Sequence, residues 1–487
     1  MKFKLTGSYK TAEALRARLD ELHLDVTLDD KLEGARGPLG QGIEWAEGRT
    51  ASNRFAIHPM EGWDATTEGT PSELTLRRWR RFGLSGASLI WGGEAFAVQA
   101  DGRANKNQLY LSDEDTALRS LEALRAEVLA GREEIGMAAD AGPIGLQLTH
   151  SGRWSRPLGP PAPQPATRDA LLDERAGADV ELLTDEELQA IRDRYVIAAK
   201  VAKRAGFDFV DVKACHGYLL HELLGAHGRP GPYGGAPFEN RTRLFVEIIE
   251  AIRAEVPGLE IGVRVSLADV VPHRPSSHDD RRGEAAADTW AHGFGVDHDH
   301  ADQFAMDEPF QFLKLVQSLG VRMINVTLGS PYYNPHLQRP AAYPPSDGYQ
   351  PFADPLVFVA DHLEIVRKAK AAFPELLFVG TGYTYLMDWL PHVAQAEVRA
   401  GHVDFVGLGR MVLSYPDLPR DVLEGREFQR KLVCRTFSDC TTAPRNGLKS
   451  GCYPLDALYK AMPERAELET LKTAKKKTQQ AAAESPS

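Results

Sequence analysis

Eight short runs rich in apolar and β-branched residues, each followed by a longer stretch of helical period, predict an α/β chain folded as a (β/α)8 barrel. Two further observations point the same way. Glycines punctuate the passage from helical stretch to run, and the polar, chemistry-bearing residues gather where runs give way to loops. An open doubly wound sheet is the alternative, because periodicity does not say whether a sheet closes.

The candidate strands are 55–60, 87–91, 144–149, 207–213, 260–266, 323–327, 376–381 and 404–408. The helix before the fourth opens at Thr184-Asp-Glu-Glu187, where hydroxyl and carboxylate can satisfy two orphan amides, and stops at Gly206. After that strand, Leu244, Phe245, Ile248, Ile249 and Ile252 share one face of a helix. Gly320 and Gly401 deliver the chain into the sixth and eighth strands. Around the barrel, taken as 51–430, residues 1–50 read as an N-terminal arm, either lid or packing arm, with a short amphipathic helix (Leu15, Leu19, Leu22). A His-rich, charged insertion spans 272–308, too long for an ordinary connection and expected as an active-site loop or a mobile excursion. A C-terminal extension, 431–463, precedes a polar tail, 464–487, expected to fray.

With 43% apolar and 26% charged residues, the 487-residue chain can bury a large core. A net charge of −11 without a basic stripe argues against nucleic acid. No apolar run approaches the ~20 residues of a membrane span, and the amino terminus lacks a signal-peptide core, so the expectation is a cytoplasmic protein acting on a small molecule, its oligomeric state open.

The richest segment is Asp211-Val-Lys-Ala-Cys-His-Gly-Tyr218, with Tyr233-Gly-Gly235 and Asn240-Arg241 beyond it. Together with Asn53-Arg54-Phe55, Pro59-Met60, Glu94-Ala95, Gln147-Leu-Thr-His-Ser-Gly-Arg153, Arg264 and Gly409-Arg410, it resembles the old yellow enzyme family, in the family's order over roughly 50–430. The resemblance implies a barrel that binds flavin mononucleotide (FMN), takes hydride from NAD(P)H and passes it to an activated alkene. It implies that Pro59, Met60 and Ala95 line the flavin ring, and that Gln147 and Arg264 meet its polar edge. Thr381-Gly382 and Gly409-Arg410 would hold its phosphate through backbone amides and a cation. Tyr218 would be the proton donor to the alkene, and His216 one of two donors to the substrate carbonyl. Tyr332 and Tyr333 are expected to shape the substrate pocket.

The chain departs from that pattern in several places. Lys213 stands where the family usually has a second His or Asn donor, and either binds an anionic oxygen or pairs with Asp211 or Glu61. Glu61 stands where many relatives have Thr or Cys; it either lies ionised beside the ring or turns away to cap a loop. Pro230-Gly-Pro232 replaces the usual Thr/Ser-Asp. Long relatives of the dienoyl-coenzyme A reductase and trimethylamine dehydrogenase types carry a four-iron cluster on four cysteines. Cys434, Cys440 and Cys452 offer three, with Phe437 in the remaining place, so the expectation is reduced, packed thiols without an iron–sulfur cluster. The function expected is thus an FMN-dependent ene-reductase. The alternatives are a flavin dehydrogenase or demethylase running the other way, a non-catalytic flavin-binding barrel, and a metal-dependent hydrolase using His292, Asp297, His298 and His300.

Overall fold

The computed structural model describes residues 3–176, 180–276, 282–346 and 348–484. Its main sheet has nine parallel strands: β1 (Phe55–Ile57), β2 (Leu89–Ile90), β3 (Ala95–Ala97), β4 (Gly145–Thr149), β5 (Phe209–Val212), β6 (Glu260–Ala268), β7 (Met323–Leu328), β8 (Leu377–Gly380) and β9 (Phe405–Leu408). Strand β1 pairs with β2 on one side and β9 on the other, and β3 pairs with β4. A parallel bridge from Ile90 to Ile144 joins β2 to the start of β4, which closes the ring and excludes the open sheet.

The eight sequence runs all become strands, and β3 is an addition. It continues the second barrel position after a break at Gly92 and Gly93, whose φ values are 142° and 52°. A Cβ at Gly92 would lie 2.8 Å from the Gln147 amide nitrogen, and one at Gly93 would lie 2.5 Å from the Trp79 ring. Only glycine allows both approaches, so the strand is split at this pair.

Helix α1 (Asp185–Arg204) carries the expected capping box, with Thr184 N donating to Glu187 at 2.8 Å and Glu187 N donating to Thr184 Oγ1 at 3.1 Å. The five apolar residues of α2 (Arg243–Glu255) read from the sequence are all buried. Both helices pack outside the sheet, so the barrel is covered as a parallel sheet must be.

Of the two readings of the N-terminal arm, packing is the one observed. Its helix, Ala12–Glu21, buries Leu15 and Leu19, and Arg18 pairs with Asp354 at 2.7 Å. The hairpin Ile43–Ala46 with Arg49–Ala51 sets Trp45 among Phe209, Met323, Leu377 and Phe405, the first residues of four strands. It therefore plugs the N-terminal mouth of the barrel, opposite the end where barrel sites form.

The insertion packs against the barrel's working end, its described residues forming a ribbon of His273–Pro275 with Gly283–Ala285. Trp290 is buried and donates to Asp169 at 2.9 Å, while Val296 and Ala301 join Trp154, Tyr218 and Tyr333 in one apolar cluster. Glu464–Glu484 of the tail form a helix, and 485–487 lie outside the described residues. Leu468 anchors it by packing on Ala443, Tyr453 and Tyr459 of the C-terminal extension. No helix among the described residues is long and apolar enough to cross a membrane.

Candidate active site

A cavity of about 880 Å³ opens at the C-terminal ends of the strands. Its lining includes Pro59, Met60, Glu61, Gln147, Lys213, His216, Tyr218, Arg264, Tyr332, Thr381, Gly382, Gly409 and Arg410. The structure thus brings together thirteen of the fifteen residues singled out from the sequence. Ala95 and Tyr333 lie outside the lining. The Ala95 carbonyl accepts from Gln108, and the Tyr333 hydroxyl donates to buried Asp269 at 2.8 Å.

The polar floor is organised by Asp211, wholly buried on β5. Its carboxylate accepts from Trp91 Nε1 at 2.8 Å, Gln147 Nε2 at 2.6 Å and the Arg264 backbone amide at 2.7 Å. Burial pushes its pKa up to about 6 against the pull of these bonds. An ionised carboxylate only accepts, so it fixes which end of the Gln147 amide it binds and leaves the amide oxygen as the end available to a ligand.

Arg264, on β6, donates from one terminal nitrogen to the Pro59 carbonyl at 3.1 Å, while its Nε is buried without a partner among the described residues. Arg410 donates to the Pro340 carbonyl at 3.0 Å, and its Nη1 is likewise buried and unpartnered. A Cβ built on Gly409 would meet nothing within 4 Å, so the backbone there faces open space. Two orphaned guanidinium donors and a bare stretch of backbone after β9 suit a planar ring system bearing a phosphate. The residues present therefore fit a flavin nucleotide, a group bearing both a polar ring edge and a phosphate.

On the other side of the cavity, the chain leaves β5 through His216 (φ 68°) and Gly217 (φ 75°), a left-handed pair that turns Tyr218 inward. A histidine held there is strained and must be held by its surroundings. Ser266 accepts from the His216 amide at 3.0 Å, and Ser330 donates to its carbonyl at 2.7 Å. Burial, with Arg264 and Lys213 adding, holds the His216 pKa well below its ordinary value, so the ring is neutral. The Tyr218 hydroxyl donates to Glu61 Oε1 at 2.6 Å and lies 2.8 Å from the Tyr332 hydroxyl. Tyr332 stacks on Trp154, with ring centroids 4.4 Å apart and planes within 4°.

Lys213 makes neither expected ion pair among the described residues; its ammonium sits 3.7 Å above the Tyr218 ring centroid. Burial lowers its pKa, opposed by neighbouring Cys215 and Glu61. Among the described residues Glu61 accepts from the Tyr218 hydroxyl rather than from a loop amide.

Several lining residues were not legible beforehand. His58 links β1 to β7 and β8: Thr381 Oγ1 donates to the Val326 carbonyl at 2.6 Å and so accepts from His58 Nε2 at 3.0 Å, leaving Nδ1 to accept from Asn325 at 3.1 Å. Burial keeps the His58 pKa well below its usual value. A Cβ on Gly407 would lie 2.1 Å from that ring. Gly407→Ala is therefore expected to destabilise the fold by about 1–3 kcal/mol through overpacking, read as a lower urea midpoint; an unchanged midpoint would refute this account. The C-terminal extension contributes Thr441, Pro444 and Arg445, and Gln338 and Arg156 complete the walls.

Other motif residues turn out to be scaffold. Arg153 is buried against Glu222 and Asp173, Arg241 against Glu308, and Asn53 ties β1 to the Gly86 carbonyl. Arg229 holds the Pro230-Gly-Pro232 loop by donating to Asp185 at 2.7 Å and to the Leu183 carbonyl at 2.8 Å. The four cysteines are free. Phe437, in the place of a cluster ligand, is 38% exposed and stacked on Tyr343. Among the described residues no group of three or more His, Cys, Asp or Glu could hold a metal ion.

Comparison with known proteins agrees with this architecture. An NADPH dehydrogenase of Geobacillus thermodenitrificans (strain NG80-2) is 28% identical over 389 residues, 76% of this chain and 90% of that protein. The fold is similar to that of a 2-naphthoyl-CoA reductase, with a TM-score of 0.63 and 18% identity over 87% of this chain; the chain spans only 57% of that longer protein. It is also similar to the old yellow enzyme homologue of Zymomonas mobilis, with a TM-score of 0.55 and 21% identity, covering 82% of this chain and 96% of that one. Residues 46–311, more than half the chain, match the sequence profile of one family. The chain is an oxidoreductase belonging to the NADH:flavin oxidoreductase / NADH oxidase family.

Proposed function

We propose that the protein is an FMN-dependent ene-reductase that uses NAD(P)H to reduce the C=C bond of an α,β-unsaturated carbonyl compound. The observation that carries this reading is the sharing of one cavity by the unpartnered donors of Arg264 and Arg410 and by the cluster of Lys213, His216 and Tyr218. A bound flavin supplies the hydride, drawn from NAD(P)H, that adds to the β carbon. Arg264 places a fixed positive charge where the reduced ring gathers negative charge. His216 and Lys213 donate to the substrate carbonyl oxygen, on which charge builds as the β carbon is reduced. Lysine adds a full charge where a neutral imidazole or amide would give only a dipole, which favours substrates with a strongly polarised or anionic oxygen. Tyr218 gives its proton to the α carbon, and burial, with Glu61 next, holds its pKa well above the ordinary phenol value, so the hydroxyl is protonated at neutral pH. The Tyr332 and Trp154 stack forms a flat wall against which a conjugated substrate can lie.

The purified protein is expected to show a flavin absorption band that NADH or NADPH bleaches without oxygen and that cyclohexenone restores. A band that bleaches but is not restored would favour the dehydrogenase reading. A band that never bleaches would favour the non-catalytic one, and the absence of any flavin would defeat all three.

A further inference from the structure

We propose that Asp211 sets the reduction potential of the flavin held in this cavity: its carboxylate keeps the Gln147 amide turned with its oxygen to the cavity and lodges an unpaired negative charge under the floor. The proposal rests on the flavin reading above and adds to it a positioning residue that touches neither cofactor nor substrate.

Donors from three strands converge on this carboxylate. Trp91, just after β2, donates from Nε1 to Oδ2 at 2.8 Å, Gln147 of β4 donates from Nε2 to the same oxygen at 2.6 Å, and the Arg264 amide of β6 donates to Oδ1 at 2.7 Å. An indole and a backbone amide can only donate, so this shell of N–H groups suits the ionised form. A neutral acid would have to turn Gln147 around to place its own proton. Burial pushes the Asp211 pKa up to about 6, which still leaves it ionised at neutral pH. Asp211 is wholly buried and does not line the cavity, whereas Gln147 and Arg264 on either side of it do.

The charge has no cationic partner among the described residues. What Arg264 offers Asp211 is its backbone amide, while the guanidinium donates to the Pro59 carbonyl at 3.1 Å. The Lys213 ammonium lies over the Tyr218 ring. A buried carboxylate without an ion pair is costly, and such groups gather at working sites. On the cavity side, the Gln147 oxygen accepts from no described residue, so the floor offers a ligand an acceptor there.

The electrical consequence has a definite sign. A flavin gathers negative charge when it takes up two electrons with the NAD(P)H hydride, and loses it when the hydride passes to the β carbon of the alkene. Asp211 exchanges neither proton nor electron in these steps. An acceptor oxygen backed by a carboxylate favours the oxidised form, and the Arg264 guanidinium opposes it. Asp211 therefore lowers the potential, which makes hydride harder to take from NAD(P)H and easier to give to the alkene.

The test is titration of the apoprotein with oxidised FMN and, without oxygen, with reduced FMN, in wild type, Asp211→Asn and Asp211→Glu. Asparagine removes the charge and is expected to shift the ratio of the two affinities about tenfold toward reduced FMN, the order expected of one unit charge in a protein interior. That is a rise of about 30 mV in the two-electron potential. Glutamate keeps the charge and should leave the ratio nearer wild type. In stopped flow, the Asp211→Asn holoenzyme should be reduced faster by NAD(P)H and reoxidised more slowly by cyclohexenone, opposite changes that damage to the pocket would not produce. An Asp211→Asn ratio that is unchanged, or that moves toward oxidised FMN, overturns the proposal. So does a glutamate variant that shifts as far as asparagine. Should Asp211→Asn not fold, Gln147→Leu removes the acceptor and leaves the charge, and is expected to shift the ratio the same way by less; no shift or an opposite one overturns the proposal equally. A holoenzyme that cyclohexenone never reoxidises defeats the ene-reductase reading and leaves the affinity ratio to judge Asp211. Wild-type apoprotein that binds neither form of FMN would defeat the flavin reading, and this role with it.

Discussion

Replacing Tyr218 with phenylalanine is expected to lower the rate of alkene reduction by about 10²–10⁴-fold, the range a positioned general acid supplies, while NAD(P)H bleaches the flavin at nearly the wild-type rate. The substitution removes one oxygen from a buried ring and leaves its packing against Tyr332 and Lys213, so the pocket keeps its shape. The partners it abandons are a carboxyl at the cavity wall and the Tyr332 hydroxyl, both of which lie where water can reach through the cavity. Reduction by NAD(P)H involves no proton at the α carbon, so a role confined to proton donation separates the two half-reactions. Stopped-flow measurement of each half-reaction gives the check. Equal losses in both would mean that Tyr218 shapes the cavity instead of supplying a proton, and unchanged rates in both would mean that the proton comes from elsewhere.

The division between what could and could not be read from the sequence follows the range of the interactions. Strands and helices rest on local periodicity and capping, and the Thr184–Glu187 box and the Leu244–Ile252 face were legible because each involves residues within a few turns of one another. The break at Gly92–Gly93 was not, because its cause is the approach of Trp79 and Gln147 from elsewhere. Lys213, His216 and Tyr218 were visible because one strand end presents all three, and the flavin-facing residues came through the family resemblance. His58 sits beside Pro59-Met60 but gives no local sign of the hydrogen bonds to Asn325 and Thr381 that hold it. Arg445 and Thr441 reach the cavity from a segment whose cysteines drew attention away from it. The tail from Glu464 was read by its polarity, whereas its Ala, Glu, Lys and Gln are good helix formers and Leu468 gives the helix a foothold.

Acid is expected to destabilise the protein steeply, with the melting temperature falling continuously between about pH 6.5 and pH 4. The window follows from the direction of the shifts. Burial holds His150, His221, His227, His336 and His362 at about 4, places His58 and His216 well below the ordinary 6.5, and lowers His392. A group whose pKa is depressed on folding stabilises the native state above its unfolded value. That contribution is lost as pH falls through the folded value, because the unfolded chain takes up protons that the native chain refuses. Buried carboxyls oppose the trend. Asp211 is raised to about 6 and Asp269 and Asp361 to about 7, with Glu61 and Asp417 also raised, so these five bind protons in the native state before they do in the unfolded one. Among the described residues eight histidines work against five carboxyls, and the net proton uptake on unfolding is positive throughout the window. Each pKa unit is worth about 1.4 kcal/mol per group, so even a partial excess outweighs ordinary surface effects. Melting followed by circular dichroism from pH 8 to pH 4.5 at constant ionic strength measures this directly. A melting temperature that stays level or rises as pH drops from 7 to 5 would show that the histidines take up their protons in the folded protein, which requires water to reach enclosed rings such as His150 and His362.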